Sequence, residues 1–331
     1  MSNTKSNPSI LSAPNHKTRT NGSYDDTTKW SSPTGASLAV YIKRAKSKPI
    51  AAVHVNHGLA DHAGRYARFA EHLSAAGFHV YAQDHRGHGA TRAQDTQQGV
   101  FADGNGWEAV LEDIAFVNGE IRRLYPGLPI IEFGHSMGAM LVYNLILRRP
   151  GICDAAAIWK AAMSKSAAAP VLNFILGAER LLCGRAAPSM MTKLTFGSFN
   201  GKFKPNQTSA DWLTKDVAEA LAYENDPDCG WPASVSMWRE LSKGIAYGAS
   251  DKGLEALPKD LPIYLLGGDA DPSVMNGKGV MDLSKRIKSA GLSKVKTELR
   301  EGGRHEALNE PEPERNAVMD GFVEWAKSAI Q

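Results

Sequence analysis

The segment with the clearest chemical potential is a pentapeptide of the form G-x-S-x-G at residues 134–138, with Ser136 at its centre. A strand-like run at 129–133 precedes it and a helix-like run at 139–149 follows it. A serine at such a turn is exposed at the end of the strand, where glycines let the backbones approach without a clashing Cβ. The N-terminus of the following helix points its N–H groups at a developing oxyanion. We therefore expect a nucleophilic serine at 136.

A nucleophilic serine needs a base and an acid, and after this type of turn they follow in the order acid, then histidine. Of the ten histidines, His305 is the only one after His135, and it lies in a loop before the last predicted helix. We expect it to be the base. The predicted strand 261–268 ends at two carboxylates, Asp269 and Asp271. We favour Asp271 as the acid because the following proline keeps its backbone extended, and we expect Asp269 to serve the turn.

The negative oxygen formed on attack needs two backbone N–H donors. One is expected from Met137, directly after the nucleophile. The other is expected from Leu59, in the loop after the predicted strand 50–57, because Gly58 lets the chain turn there. Losing one such donor typically costs about 3 to 4 kcal/mol of transition-state stabilisation.

These residues must be positioned by a regular frame, and strands alternate with helices along most of the chain. Predicted strands cover 37–42, 50–57, 78–83, 129–135, 154–161, 261–268 and 295–300, and predicted helices cover 66–76, 107–125, 138–149, 280–290 and 313–330. An alternation of this kind produces right-handed crossovers, a mostly parallel sheet and helices on both of its faces. The fold class is therefore α/β.

The alternation is interrupted once, which divides the chain into regions. Residues 1–22 are polar and are expected to form a disordered tail. Residues 23–162 and 249–331 are expected to form the α/β core. The intervening segment 163–248 is rich in Met, Phe and Trp, and we expect it to form a helical cap over the catalytic face. The name "cap" is used below for residues 163–248.

Composition excludes several classes of protein. The formal net charge is +3 over 331 residues, and there is no dense Lys/Arg stripe, so nucleic acid is not an expected partner. The three cysteines, Cys153, Cys183 and Cys229, have no CxxC pair and are expected to be reduced thiols. Neither a signal-peptide run nor an apolar stretch of about 20 residues is present. We expect a cytoplasmic protein, at most peripheral to an anionic membrane surface.

Two patterns could suggest a metal or a nucleotide. His54 and His57, with the nearby pairs Asp61/His62 and His85/His88, resemble a ligand set. However, residues three apart on a strand point to opposite faces, so no metal site is expected. The segment 104–106 is a lone GxG without a preceding strand, so no nucleotide cofactor is expected either.

Taken together, the motifs resemble those of the monoacylglycerol lipase and lysophospholipase-like α/β-hydrolases, grouped with the serine aminopeptidase-type hydrolases. The matching segments are HGLADHAGRY at 57–66, DHRGHG at 84–89, GHSMG at 134–138 and HE at 305–306. The resemblance runs from about residue 30 to the C-terminus. It implies an eight-stranded core with a cap, no cofactor, and hydrolysis of single-chain glycerolipids or related esters.

Carried over residue by residue, the resemblance supports a triad of Ser136, Asp271 and His305. It also supports Leu59 and Met137 as the oxyanion donors. It implies in addition that three residues brace the site structurally, namely Asp84, Arg86 and His88. Ala139 departs from the family pattern, in which a glycine is frequent at this position.

Cap segments at 196–200 and 211–213 resemble bacterial lysophospholipase-type members, and the cap makes the substrate harder to assign than the reaction. Two alternatives to a lipid-like ester remain. One is a peptidase that releases an N-terminal proline, although such enzymes usually carry Trp where this chain has Met137. The other is a catalytically inactive binding protein of the same fold. Haloalkane or epoxide chemistry is excluded because it needs a carboxylate in place of Ser136. The sequence carries no signal for the oligomeric state.

Overall fold

The computed structural model describes residues 22–164 and 169–331, and within them eight strands form one sheet. The strands are β1 (Asp26–Ser31), β2 (Ser37–Lys43), β3 (Ala51–Asn56), β4 (Phe78–Gln83), β5 (Ile130–His135), β6 (Ala155–Trp159), β7 (Ile263–Gly268) and β8 (Val295–Arg300). They lie in the order β1-β2-β4-β3-β5-β6-β7-β8. β2 runs antiparallel to its neighbours β1 and β4, whereas all other adjacent pairs are parallel. The predicted mostly parallel, eight-stranded sheet is confirmed.

The longer helices of the described residues follow the predicted alternation outside the cap. They are α1 (Ala67–Ala75), α2 (Gly106–Leu124), α3 (Met137–Arg148), α4 (Ala169–Cys183), α5 (Met190–Asn200), α6 (Val217–Glu224), α7 (Val235–Gly248), α8 (Lys278–Ser289) and α9 (Glu314–Ala329). Four of them, α4 to α7, lie between β6 and β7 in the chain. In the parts of the chain that are described, none of these helices combines the length and apolarity needed to cross a membrane.

Helices cover both faces of the sheet, so its central strands, β3 to β7, are buried throughout. In β7, Tyr264 and Leu266 join one core layer with α1 and α9, whereas Ile263 and Leu265 join another with α3 and α8. Phe322 of α9 is fully buried in the first layer. Burying one such side chain contributes about 1.5 to 3 kcal/mol. Strands buried on both faces consist of near-continuous apolar runs, and this is why they were recognisable in the sequence.

The strand register brings the carboxyl ends of β5 to β8 to one edge of the sheet. His135, the last residue of β5, pairs with Trp159 at the end of β6, and Gly268 pairs with Arg300 at the ends of β7 and β8. The loops that follow β5, β7 and β8 therefore leave from the same edge. Sites in open parallel sheets form at this carboxyl edge.

The predicted tail at 1–22 lies outside the described residues except for Gly22. In the segment between β6 and β7, two small apolar clusters form that are separate from the main core, one around Trp212 and one around Leu176. α7 packs closely on α2, since a Cβ added at Gly244 would lie 2.3 Å from the Trp107 ring.

Candidate active site

Ser136 lies on a sharp turn between β5 and α3. Its backbone has φ 55° and ψ −118°, a conformation that non-glycine residues adopt only when the surroundings impose it. The flanking glycines make the turn possible: a Cβ at Gly134 would lie 2.4 Å from the Gly138 carbonyl oxygen, and one at Gly138 would lie 2.1 Å from that of Asn56. The side chain of Ser136 is half-buried, at the carboxyl end of its strand.

His305 and Asp271 meet although they are carried by different loops. His305 lies after β8 and Asp271 after β7, and the His305 Nδ1 donates to Asp271 Oδ2 at 2.8 Å. Both side chains are buried. The Ser273 hydroxyl donates to the second carboxylate oxygen, Oδ1, at 2.7 Å and lies 2.9 Å from His305 Nδ1. Sequence reasoning did not identify Ser273.

The environment of Asp271 keeps it ionised. Burial by itself raises the pKa of this carboxyl group, but the nearby His305, Lys160 and Ser273 outweigh burial and lower the pKa to about 2. A buried carboxylate that accepts a hydrogen bond from an imidazole Nδ1–H fixes the tautomer, leaving Nε2 free to accept a proton.

The other carboxylate of this loop has a different place. Asp269 is exposed, and its Oδ1 accepts a hydrogen bond from the Gly302 N–H at 2.7 Å. The structure therefore brings Asp271, and not Asp269, to His305. Asp269 instead ties its own turn to the turn that follows β8.

Ser136 and His305 line the same pocket, which has a volume of about 60 Å³ and is also lined by Leu59, Phe196 and Trp212. The Trp212 ring lies 4.8 Å from the His305 ring, so the segment between β6 and β7 contacts His305 directly. Within the described part of the chain, no hydrogen bond joins the Ser136 hydroxyl to the His305 imidazole. Bonds between nucleophile and base are often long in unliganded enzymes and shorten when substrate binds.

The two predicted N–H donors lie beside this serine. Met137 opens α3, where backbone N–H groups have no intrahelical acceptor. Leu59 lies in the loop after β3 and lines the pocket. That loop passes close to Ser136, since a Cβ added at Gly58 would lie 3.5 Å from Ser136 Cβ. The Asp61 carboxylate holds the loop by accepting from the Gly58 N–H at 3.3 Å.

A buried ion network connects the Leu59 loop to the His305 loop. The Arg65 guanidinium donates to both oxygens of Glu306, at 2.7 and 2.6 Å, and to Asp61 at 3.0 Å. Burial raises the pKa of the Glu306 carboxyl group, but Arg65 outweighs burial and lowers it. The sequence motifs contain these residues, but no role was predicted for Arg65 or Glu306. The adjacency of Glu306 to His305 was the available signal.

The backbone of His305 is held from a second side. His135 is buried, and burial together with the charge of His305 lowers its pKa to about 4, so it is neutral near pH 7. Its Nε2 lies 3.1 Å from the His305 carbonyl oxygen, which can only accept, so His135 donates this hydrogen bond. His135, which directly precedes Ser136, thus helps to position the residue expected to act as base.

Asp84, Arg86 and His88 lie after β4. Asp84 accepts from the Ala63 and Ala90 N–H groups at 2.9 and 2.7 Å, and Arg86 donates to the buried Asp113 at 2.7 Å. Of the described residues that line the Ser136 pocket, none is among these three. Asp84 and Arg86 thus join separate segments of the chain through these hydrogen bonds, and a bracing role of all three residues stays a prediction.

One group of side chains has the composition of a metal site. In the described residues, the ligand atoms of His62, Asp226 and Cys229 lie within 4.8 Å of one another, and all three side chains are buried. However, the Gly64 N–H donates to His62 Nδ1 at 3.2 Å, so Nε2 carries the proton and donates to Asp226 at 3.1 Å. A metal-bound histidine normally donates from its second nitrogen, which is here an acceptor. These side chains are better explained by the hydrogen bond from His62 to Asp226, which joins the loop after β3 to the segment after α6.

The geometry is that of an α/β-hydrolase: a mostly parallel sheet with a serine on the turn after β5 and an Asp–His pair at the same edge. The family described as serine aminopeptidase, S33, matches residues 47–312, and the chain belongs to this family. This confirms the resemblance stated from the sequence.

The relatives narrow the class further. The chain is 28% identical over 301 residues to a monoacylglycerol lipase of Mycolicibacterium smegmatis (strain ATCC 700084 / mc(2)155), covering 89% of this chain and 95% of the relative. It is 25% identical over 325 residues to the monoglyceride lipase of Mus musculus, covering 95% and 94%. A solved carboxyl esterase of Bacillus coagulans superposes with a TM-score of 0.84 at 24% identity, covering 92% and 99%, and shares the fold. The chain is a monoglyceride lipase-like α/β-hydrolase and a carboxylic ester hydrolase.

Proposed function

We propose that Ser136, His305 and Asp271 form a catalytic triad that hydrolyses the ester bond of a monoacylglycerol or a related single-chain lipid. The observation that carries the proposal is the buried 2.8 Å pair of His305 and Asp271 beside the pocket that Ser136 also lines. The strained turn at Ser136 supports it, because such strain persists where the surrounding structure requires it.

In the proposed reaction the Ser136 Oγ attacks the ester carbonyl carbon while His305 Nε2 takes its proton. The N–H groups of Leu59 and Met137 stabilise the oxyanion of the tetrahedral intermediate. As the intermediate collapses, the bond to the leaving alcohol breaks and His305 returns the proton to that alcohol. Water then attacks the acyl-enzyme by the same route, which releases the fatty acid and restores Ser136. Asp271 stays ionised and stabilises the imidazolium.

A lipid-like acyl group is supported by the pocket and by the relatives. Apolar side chains around the serine include Leu59, Phe196, Trp212 and Leu213, which suit an acyl chain better than a charged group. Two relatives that match nearly the whole chain are named monoacylglycerol lipase and monoglyceride lipase. These facts support the substrate class and leave the chain length to experiment.

We further propose that residues 163–248 form a cap whose outer surface touches lipid aggregates transiently. α4 carries four apolar side chains that are mostly exposed: Val171 at 60%, Phe174 at 77%, Leu181 at 88% and Leu182 at 85%. They recur at helical spacing, so they form one apolar stripe on the surface. Such a stripe on a helix is typical of a segment that lies in a lipid interface. The substrate of a lipase is concentrated there.

The triad is tested by labelling with a fluorophosphonate probe and by release of fatty acid from 1-oleoylglycerol. Native protein should react with both, and Ser136→Ala should react with neither. Ser289→Ala is a matched control, because this exposed serine ends α8. Labelling of Ser136→Ala at the native rate would refute the nucleophile. Activity confined to short, water-soluble esters would refute the lipid substrate.

The family description itself favours one alternative, a serine aminopeptidase. A panel of peptidyl amides, with substrates that carry an N-terminal proline, distinguishes the two. We expect hydrolysis of oleoylglycerol or lysophosphatidylcholine and no amide cleavage. If the amides react faster than the esters, the peptidase assignment replaces the lipase. A protein that fails to label with the probe at all would be an inactive member of the fold.

A further inference from the structure

A lysine is buried beside the Asp271–His305 pair. Lys160 directly follows β6, is 1% exposed and has a left-handed backbone with φ 60°. A non-glycine residue in this conformation is uncommon and is held there by its surroundings. Burying an ammonium group is costly unless it is paired and hydrogen-bonded. The position of Lys160 therefore calls for a specific set of partners.

Those partners belong to the loops that carry the acid and the base. Lys160 Nζ donates to the Arg304 carbonyl oxygen at 2.7 Å, and Arg304 is the residue before His305. On the other side, a Cβ added at Gly268 would lie 2.6 Å from the same Nζ. Gly268 ends β7, three residues before Asp271. The ammonium group thus lies between the end of β7 and the loop that carries His305.

The charged groups around Lys160 belong to the end of β8 and to the segments that follow β7 and β8. Burial lowers its pKa to about 8, and the carboxylates of Asp271, Glu310 and Asp269 oppose that shift while Arg300 adds to it. Lys160 also helps to lower the pKa of Asp271. At neutral pH most molecules therefore carry a positive charge next to the negative Asp271.

We propose that Lys160 is a positioning residue, whose buried ammonium group joins the Asp271 loop to the His305 loop and so holds the two side chains against each other. This inference rests on the proposed triad. The positive charge of Lys160 also offsets the buried negative charge of Asp271. The hydrogen bond to Arg304 fixes the backbone from which the imidazole projects.

Three substitutions separate the charge from the hydrogen bond. Lys160→Met removes both, Lys160→Gln keeps a donor without charge, and Lys160→Arg keeps the charge. kcat and KM are measured separately for each variant with p-nitrophenyl butyrate. We expect Lys160→Gln to lose about 10-fold in kcat with little change in KM, and Lys160→Arg to stay within about threefold of native. Lys160→Met should also lose about 10- to 100-fold in kcat with little change in KM.

Lys285→Met, an exposed substitution on α8, is the matched control and should leave kcat and KM unchanged. Thermal unfolding and fluorophosphonate labelling of each variant show whether the fold and Ser136 are intact. If the native protein is not labelled, the triad itself is wrong. If it is labelled and active but kcat is the same in native, Gln and Met proteins, the inference about Lys160 alone is overturned. If Lys160→Met does not fold, the Gln and Arg pair gives the same decision.

Discussion

Gly138 lies where α3 begins, and its replacement by alanine is a demanding test of the site. A Cβ at this position would lie 2.1 Å from the Asn56 carbonyl oxygen and 2.6 Å from that of His57. Both obstacles are backbone atoms at the end of β3, so no side chain can rotate away. Contacts below 3.0 Å are essentially never seen, and the helix and the strand must therefore separate by about 1 Å.

This separation acts on stability and on chemistry. Overpacking of this kind costs about 1 to 3 kcal/mol, and alanine recovers up to about 1 kcal/mol because it favours helix. We expect a net loss of about 1 to 2 kcal/mol, or a fall of a few degrees in Tm. The larger effect should be on activity, because α3 presents the Met137 N–H and the β3 loop presents that of Leu59. A misplacement of about 1 Å can cost roughly 100-fold in rate.

The assay is kcat/KM on p-nitrophenyl butyrate together with thermal unfolding of the same preparation. Gly119→Ala is the matched control: Gly119 is exposed within α2, and a Cβ there meets no atom within 4 Å. That variant should keep native activity and gain about 0.5 to 1 kcal/mol. If Gly138→Ala retained kcat/KM within about threefold of native with an unchanged Tm, the geometric reasoning about the turn would be wrong.

Three further predictions concern the acid, the ion network and the surface. Asp271→Asn should lose about 2 kcal/mol of unfolding free energy at pH 7, because the pKa of this carboxyl group falls from 3.8 to about 2 on folding. That contribution is full above about pH 4 and disappears as the pH falls toward 2, so urea unfolding of both proteins should converge there; a constant difference would contradict it. Arg65→Met leaves Glu306 buried without its cation and should cost about 3 to 5 kcal/mol by urea unfolding, and a loss below about 1 kcal/mol would contradict the network. Replacing Leu181 and Leu182 by serine should weaken sedimentation with lipid vesicles while hydrolysis of p-nitrophenyl butyrate stays native; unchanged sedimentation would contradict the interface on α4.

Much of the frame was predictable because its signals are local. Central strands buried on both faces leave apolar runs, so the bounds of β3 to β7 lie within about two residues of those predicted. The signal of the turn at Ser136 is local as well, since glycines must flank the serine: a Cβ at Gly134 would lie only 2.4 Å from the Gly138 carbonyl oxygen. His305 could be singled out by chain order alone.

Other features depend on which loops meet, and no local signal encodes that. The sequence offered both Asp269 and Asp271 and favoured Asp271 through the proline that follows it, whereas the tertiary structure places Asp269 against Gly302 and Asp271 against His305. The apolar side chains of α4 are a related case. Apolar residues in a sequence ordinarily predict a buried core, whereas in the folded protein Leu181 is 88% exposed.

The sequence by itself determined the alternation of strands and helices and the turn that carries Ser136, because both depend on short-range spacing, and it also fixed the chain order of the candidate residues. Only the tertiary structure decided the buried charges around the site. Arg65 and Glu306 are 241 residues apart, and Lys160 reaches a carbonyl 144 residues away. A charged side chain looks the same in a sequence whether it is solvated or buried. Its partners exist only once the sheet has brought the ends of its strands to one edge.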